Sequence, residues 1–309
     1  MLKNKIILLT GGTGFLSRNL VKYLLNTDIK KIIVFSRSEE KQFFMRKQIE
    51  DKEDKIRYII GDVRDYQRLN EVMQNVDIVI HTAALKNMEI TEYNPIETVL
   101  TNVIGTANII KAVCNNYVEK LVYISSDKAN SPVNLYGATK FVGEKLVQHG
   151  FVYKDHYDVN LVTVRYGNIA GSTGSIIPVF KKKIEQGIKV LPLTSELMSR
   201  FWFDVHGAID LIMLALEKGK SQDIFIPKLK SFYVKDLIKA FDCKYEIVGI
   251  RQGEKLSECM INKNEYYKDF GDYYIINPKY DKAGFDYDSA NNIFMNVNVL
   301  KEEIEKLFK

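Results

Sequence analysis

The chain has 309 residues, 46% hydrophobic and 27% charged, with a net charge of +5; this is the balance of an ordinary globular protein, long enough for one main domain and a smaller companion. The excess charge comes from lysines spread along the chain with no block of like charges, which excludes a basic nucleic-acid arm and suits a small anionic ligand. Cys114, Cys243 and Cys259 lie far apart with no CxxC pair, so neither a disulfide framework nor a zinc site is expected, and a reducing cytoplasm is the expected location.

The first element, "KIILLT" (5–10), is an apolar run of strand length that leads straight into glycines, and it reads as a buried strand rather than a secretory signal. Nowhere does the chain reach the ~20 consecutive apolar residues of a membrane span. "TGGTGFLS" (10–17) follows, and Leu16, Leu20 and Leu24 then mark one face of a helix. A glycine-rich turn between strand and helix lets the backbone approach a pyrophosphate, whose charge the helix N-terminus holds. Gly11, Gly12 and Gly14 suit that turn, with Thr13, Phe15 and Leu16 beside them. Ser17 stands where the usual fingerprint has a third glycine, which chiefly allows close packing of helix on strand. The serine is expected to be tolerated, its hydroxyl bonding backward within the first turn.

The second strand, "KIIVFS" (31–36), runs into Ser36 and Arg37 and offers no carboxylate at its end for the ribose hydroxyls of NAD. An arginine there suits a 2′-phosphate, so NADP is the expected cofactor, with NAD the alternative that Glu39 keeps open. "IRYIIG" (56–61) leads to Asp62 and Val63, placed to grip an adenine or simply to form a turn. "DIVIHTA" (77–83) delivers Ala83 and Ala84, counted with the cofactor contacts. "KLVYISS" (120–126) and "NLVTVRYG" (160–167) complete six apolar runs separated by amphipathic stretches. This rhythm predicts an α/β fold with a Rossmann-like, doubly wound parallel sheet.

A dinucleotide-binding domain is expected over residues 1–168, and a smaller α/β substrate-binding region over 169–309. One helix, about 204–218, is expected to pack back on the sheet: Val205, Ala208, Ile209, Ile212, Met213 and Leu216 recur at helical spacing after a capping Asp204. The aromatic, turn-rich stretch 272–289 reads as a surface loop. His81, His149, His156 and His206 form no metal cluster in the sequence pattern.

Tyr136 and Lys140 lie one helical turn apart, on one face. A phenol with a pKa of ~10 is a poor base at neutral pH, but an adjacent ammonium and a cationic nicotinamide favour its ionised form. Such a tyrosine can exchange a proton with a sugar hydroxyl while a hydride moves.

Taken in order over residues 4–261, "TGGTGFLS", "SSDK", "NLYGATK", "VRYGNIAGSTGSIIPVF", "SRFW" and "IRQGEKLSE" resemble the extended short-chain dehydrogenase/reductase superfamily, and specifically its UDP-N-acetylglucosamine 4,6-dehydratase (5-inverting) family. The resemblance implies a hydro-lyase in which C4 is oxidised, C5 loses a proton, water leaves from C6 and the hydride returns to C6, producing a UDP-4-keto-6-deoxy sugar for surface glycans. It implies Asp127 as the acid at the C6 hydroxyl, Lys128 as the acid/base at C5, and Ser126 or Ser125 steadying O4. Arg200 and Arg251 are implied to hold the diphosphate and Glu254 the ribose of a UDP-sugar, with Asn168 and the 172–178 loop (Ser172, Ile177, Pro178) lining the nucleotide pocket. Lys86 is implied near the sugar and nicotinamide. A homo-oligomer is implied; nucleic acid and membrane are not. The chain departs from the family pattern at Asn87, Glu89, Gln252 and Ser257. The alternatives are a UDP-sugar 4-epimerase or C5-retaining dehydratase on the same scaffold, and a non-catalytic cofactor-sensing regulator.

Overall fold

A computed structural model describes residues 2–153 and 159–308; His156 lies outside them. The six apolar runs form β1 (Ile6–Thr10), β2 (Lys31–Ser36), β3 (Ile56–Ile60), β4 (Ile78–His81), β5 (Lys120–Ile124) and β6 (Asn160–Val164). Between them lie the helices α1 (Phe15–Leu25), α2 (Glu39–Gln48), α3 (Tyr66–Val72), α4 (Met88–Tyr93), α5 (Pro95–Val99), α6 (Gly105–Asn115) and α7 (Leu135–His149). Beyond β6 come α8 (Ile176–Glu185), β7 (Val190–Leu193), β8 (Ser199–Phe201), α9 (Val205–Lys218), β9 (Ile224–Pro227), β10 (Ser231–Tyr233), α10 (Val234–Ala240) and β11 (Lys244–Ile247). The chain ends with β12 (Cys259–Ile261), β13 (Tyr267–Asp269), β14 (Tyr273–Ile276), β15 (Tyr287–Asp288) and α11 (Val297–Leu307).

Among the described residues one nine-stranded sheet runs in the order β13-β14-β9-β6-β5-β4-β1-β2-β3. Its strands from β3 to β9 are parallel, and β14 and β13 extend it antiparallel. Leu20, Leu24, Ala208 and Ile212 cover one face from α1 and α9, and Leu69, Ile109, Val113 and Val147 cover the other from α3, α6 and α7. Both faces are therefore apolar, which is why the strands read as unbroken Ile/Val runs; the doubly wound sheet expected from the sequence is present. Strand order reverses between β1 and β4, and in such sheets the crevice outside the carboxyl ends at that reversal is where ligands bind.

Asp204 caps α9 by accepting a bond from the Gly207 N–H at 2.7 Å, and the helix packs on β5, β6 and β9. A separate core gathers Ile177, Phe180, Leu191, Trp202, Phe232, Leu237 and Leu300 around α8, α10 and α11. The stretch 272–289 is not a surface loop. Its first part is β14, paired with β9, while Tyr274, Phe285 and Tyr287 cluster with Phe201 and Tyr267. Aromatic rings bury enough area to hold such a segment against an existing sheet edge. No helix among the described residues is long and apolar enough to cross a membrane.

Candidate active site

The glycine loop sits at the sheet's reversal point. Gly11 has φ +63°, and a Cβ there would lie 2.8 Å from the backbone of Ala83, so only glycine lets the loop press against the end of β4. Gly14 caps α1 in extended conformation and donates its N–H to the Gly11 carbonyl at 2.9 Å. Ser17 does not bond backward within the helix: its hydroxyl meets that of Thr82 at 2.9 Å, and Thr82 in turn donates to the Thr10 carbonyl at 2.7 Å. A tether from α1 to the end of β4 thus stands where a glycine would allow bare contact.

A cavity of about 730 Å³ opens over this loop. Its lining brings together Gly11, Thr13, Gly14, Phe15, Leu16, Ser36, Arg37, Asp62, Val63, Ala83, Ala84, Lys86, Ser126, Tyr136, Lys140, Asn168 and Ser172. Asp62 is both a cavity residue and a turn former, since its carboxylate accepts from the Arg64 N–H and guanidinium. Lys41 on α2 also lines the cavity beside Arg37; sequence reasoning missed it, although a second cation one helical turn after the first was legible. The buried hydroxyls of Tyr166 and Thr101, both in the lining, have no hydrogen-bond partner among the described residues. A glycine cradle at a helix start, with orphaned polar groups on residues of the lining, fits a bound dinucleotide.

The reactive cluster lies at the end of β5. Ser125 donates to the buried Glu144 at 2.6 Å, which leaves Ser126 as the hydroxyl nearer the chemistry. Ser126 caps a short 3₁₀ turn, Asp127–Ala129, and donates to Asp127 Oδ1 at 3.0 Å. Asn134 caps α7 by accepting from the Gly137 N–H at 2.8 Å. A Cβ on Gly137 would collide with the Lys128 carbonyl, so that glycine is what lets the Tyr136 helix lie against the Asp127–Lys128 turn.

Charges are distributed differently from the sequence expectation. Burial pushes the Tyr136 phenol up, and the cation that opposes this is Lys128, with help from the Ser126 hydroxyl. Lys140 instead donates to the Ile124 carbonyl at 2.5 Å and lies over the Tyr123 ring; burial, opposed by Glu144, pulls its pKa down to about 7. A lysine acts as a base at C5 only once its pKa falls toward working pH. Burial of Lys128 does work in that direction, but Asp127 and Glu258 outweigh it and hold the ammonium above the ordinary lysine range. Its Nζ lies 3.1 Å from Asp127 Oδ1 and 3.0 Å from Glu258 Oε1. Burial raises the Asp127 carboxyl, and Lys128 only partly offsets it. For Glu258 burial is outweighed by Lys128 and Arg200, which lower its carboxyl. Glu258 closes the motif "IRQGEKLSE", yet nothing in the sequence brings it next to Lys128.

The other expected residues separate. Asp127 and Lys128 sit behind Ser126 rather than in the cavity lining. Arg200 is turned to the protein, donating to the carbonyls of Ser199 (2.6 Å), Leu256 (3.1 Å) and Lys255 (3.0 Å). This geometry ties down the 255–258 segment and does not support the diphosphate role. Ile177 is buried in the second core with Phe180, because α8 turns its apolar face there, and Pro178 is half-buried beside it. Arg251 is exposed and pairs with Glu89 (3.4 Å) and Glu254 (3.3 Å); Glu254 also accepts from Thr194. The departures from the family pattern have local roles: Asn87 caps α4, Glu89 holds Arg251, and Ser257 donates to Asp288. Among the described residues no group of His, Cys, Asp and Glu is placed to hold a metal ion.

Known proteins place this geometry. The family described as polysaccharide biosynthesis protein matches residues 7–278. UDP-N-acetylglucosamine 4,6-dehydratase (inverting) of Campylobacter jejuni is 40% identical over 99% of this chain and 91% of its own. A UDP-glucose 4-epimerase of Rickettsia conorii is 40% identical over 89% of this chain and 84% of its own. The solved structure of Pen from Bacillus thuringiensis superposes with a TM-score of 0.91, at 36% identity, covering 99% of each chain. The chain belongs to the polysaccharide biosynthesis protein family of extended short-chain dehydrogenases/reductases, and within it to the UDP-N-acetylglucosamine 4,6-dehydratase (inverting) family.

Proposed function

We propose that the protein is an NADP-dependent UDP-N-acetylglucosamine 4,6-dehydratase that inverts C5, acting in the cytoplasm to supply a UDP-4-keto-6-deoxy sugar for surface glycans. The observation that carries this reading is Asp127: a buried carboxyl kept toward its protonated form beside an ammonium, directly behind the cavity's Ser126 and close to Tyr136. Loss of water from C6 needs an acid at that hydroxyl, whereas moving a hydride to and from C4 alone does not.

The bound nicotinamide would supply hydride acceptance and return. Gly11, Thr13, Gly14, Phe15 and Leu16 hold its diphosphate, Asp62, Val63, Ala83 and Ala84 its adenosine side, and Ser36, Arg37 and Lys41 the 2′-phosphate. Tyr136 takes the O4 proton, with Lys128 and Ser126 favouring its ionised form. Lys140, ammonium or amine near neutral pH, would hold the cofactor ribose. Asp127 gives its proton to O6. Lys128 exchanges the C5 proton once its own charge has been relieved. Lys86, whose ammonium burial disfavours, lies between cofactor and sugar, with Asn168 and Ser172 on the nucleotide side. Arg251 and Glu254 meet the uridine diphosphate from the 250–258 loop.

The epimerase reading has the Rickettsia relative in its favour. Incubation with UDP-N-acetylglucosamine in deuterated water separates the two. A 4-keto-6-deoxy product with deuterium at C5 and inverted configuration is expected; a product that keeps its 6-hydroxyl overturns the dehydratase reading, and an unchanged C5 overturns inversion alone.

A further inference from the structure

Lys128 is enclosed by charge from three directions: Asp127 on its own turn, Tyr136 from α7, and Arg200 from β8 with Lys255 and Glu258 from the segment before β12. Glu258 is the most firmly placed of these. Its N–H donates to Ser289 Oγ at 3.0 Å and its carbonyl accepts from the Ser289 N–H at 2.9 Å. Lys255 beside it donates to the Asn130 carbonyl at 2.7 Å. The Glu258 side chain is 3% exposed, with Oε1 3.0 Å from Lys128 Nζ and 4.0 Å from Arg200 Nε. Oε2 is buried and has no hydrogen-bond partner among the described residues; Lys255 Nζ stands 3.9 Å from it. A carboxylate oxygen left so is costly to maintain; Lys128 and Arg200 offset that cost while Lys128 is an ammonium, and the offset weakens once Lys128 gives up its charge.

We propose that Glu258 is the positioning residue of Lys128, holding Nζ in place and taking up its proton when Lys128 acts at C5. This rests on the dehydratase reading and adds to it a group that the reading leaves idle. In the step, an Nζ–H bond breaks and an O–H bond forms on Oε1, giving a neutral amine and a neutral carboxyl. The amine lone pair then takes the C5 proton, and the C5–H electron pair passes toward the C4 carbonyl oxygen. When C5 is reprotonated, the O–H bond on Glu258 breaks and its proton replaces the one given up by the donor to C5, so that Lys128 is again an ammonium, Glu258 a carboxylate, and the sum over a turn is zero. Lys128 thereby becomes a base without releasing a proton to water.

The test is the pH profile of C5 deuterium exchange in the whole enzyme with UDP-N-acetylglucosamine and NADP. Glu258→Gln keeps the size of the side chain but cannot accept the proton. Exchange at neutral pH is expected to fall about tenfold or more. The deficit is expected to shrink as pH climbs toward the ordinary lysine range near about 10, because solvent then removes the proton instead. Glu258→Asp, which keeps the carboxylate but draws it back, is expected to show a smaller deficit that closes in the same way; it carries the test should the Gln variant fail to bind NADP. A deficit equal at all pH values, or no deficit, overturns the role of Glu258. Absence of C5 exchange in the unaltered enzyme instead overturns the dehydratase reading, and this inference with it.

Discussion

Two buried lysines flank Tyr136, and they hold their protons in opposite ways. Lys140, on the cofactor side, touches a backbone carbonyl and an aromatic face. The carboxylate near it, Glu144, is already engaged by Arg165 at 2.6 Å and by Ser125. Burial therefore wins, and the pKa falls to about 7. Lys128, on the sugar side, is comparably enclosed but meets two carboxylates at about hydrogen-bond distance, and the ammonium is locked in. Equal burial thus leads to different charge, because direct contact with Asp127 and Glu258 outweighs desolvation at Lys128, whereas Glu144 only partly offsets it at Lys140. On the proposed function, the cofactor side can adjust its charge near neutral pH, while the sugar side must move protons within its own cluster.

The strongest way to break this division is to remove the sugar-side acid. Asp127→Asn is expected to lower turnover about 10²- to 10⁴-fold while NADP binding, read by fluorescence titration, stays close to that of the unaltered protein. Lost cofactor binding would mean that the two sides are not separable. Tyr136→Phe bridges both sides, and its loss of turnover is expected in the same range.

Next is the cofactor-side lysine, through stability. Folded Lys140 sheds its proton at about 7, against 10.5 for the ordinary group. Between those values the unfolded chain binds more protons than the folded one, so this residue's contribution to stability rises with pH through that window. Urea midpoints of the unaltered protein and Lys140→Met are expected to diverge in favour of the unaltered protein from about pH 7 to about pH 10, by on the order of 2–4 kcal/mol. Curves that stay parallel would show that Lys140 keeps its charge. Arg37→Ala is smaller again. It removes one guanidinium from the adenosine end and is expected to weaken NADP about 10- to 100-fold with little change for NAD; equal losses would count against a 2′-phosphate contact.

The same division explains what could be read from the sequence. The six parallel strands were legible because five are buried on both faces and β3, at the edge, still reads as an apolar run, and the cofactor loop because its parts are contiguous. Asp204 announced α9 by its place before a periodic apolar run. The sugar side was harder, since its charges come together only in the fold: Lys128 and Glu258 meet through β12 and the turn after β5, and neither shows the other in the sequence. Arg200, expected at a diphosphate, donates here to three carbonyls, because a guanidinium that binds phosphate and one that binds carbonyls look alike as a letter. Strand β14, next to the edge strand β13, carries tyrosines and leads into asparagine and proline, so its polar appearance hid a segment that the aromatic cluster of Phe201, Tyr267 and Tyr287 holds in place.

The smallest expected effect concerns Ser17, where the glycine loop departs from the usual fingerprint. Its side chain is fully buried and its hydroxyl is turned to Thr82, whose own hydrogen goes to the Thr10 carbonyl. Ser17→Gly removes that tether and adds backbone freedom in the first turn of α1, for a stability loss of about 1–2 kcal/mol. The N–H groups at the start of α1 and the conformation of Gly11 do not depend on the hydroxyl, so NADP affinity is expected to change by no more than about twofold. A tenfold gain, by the same titration, would mean that the tether holds α1 away from the diphosphate. The cofactor side would then carry a strain that its hydrogen bonds do not reveal.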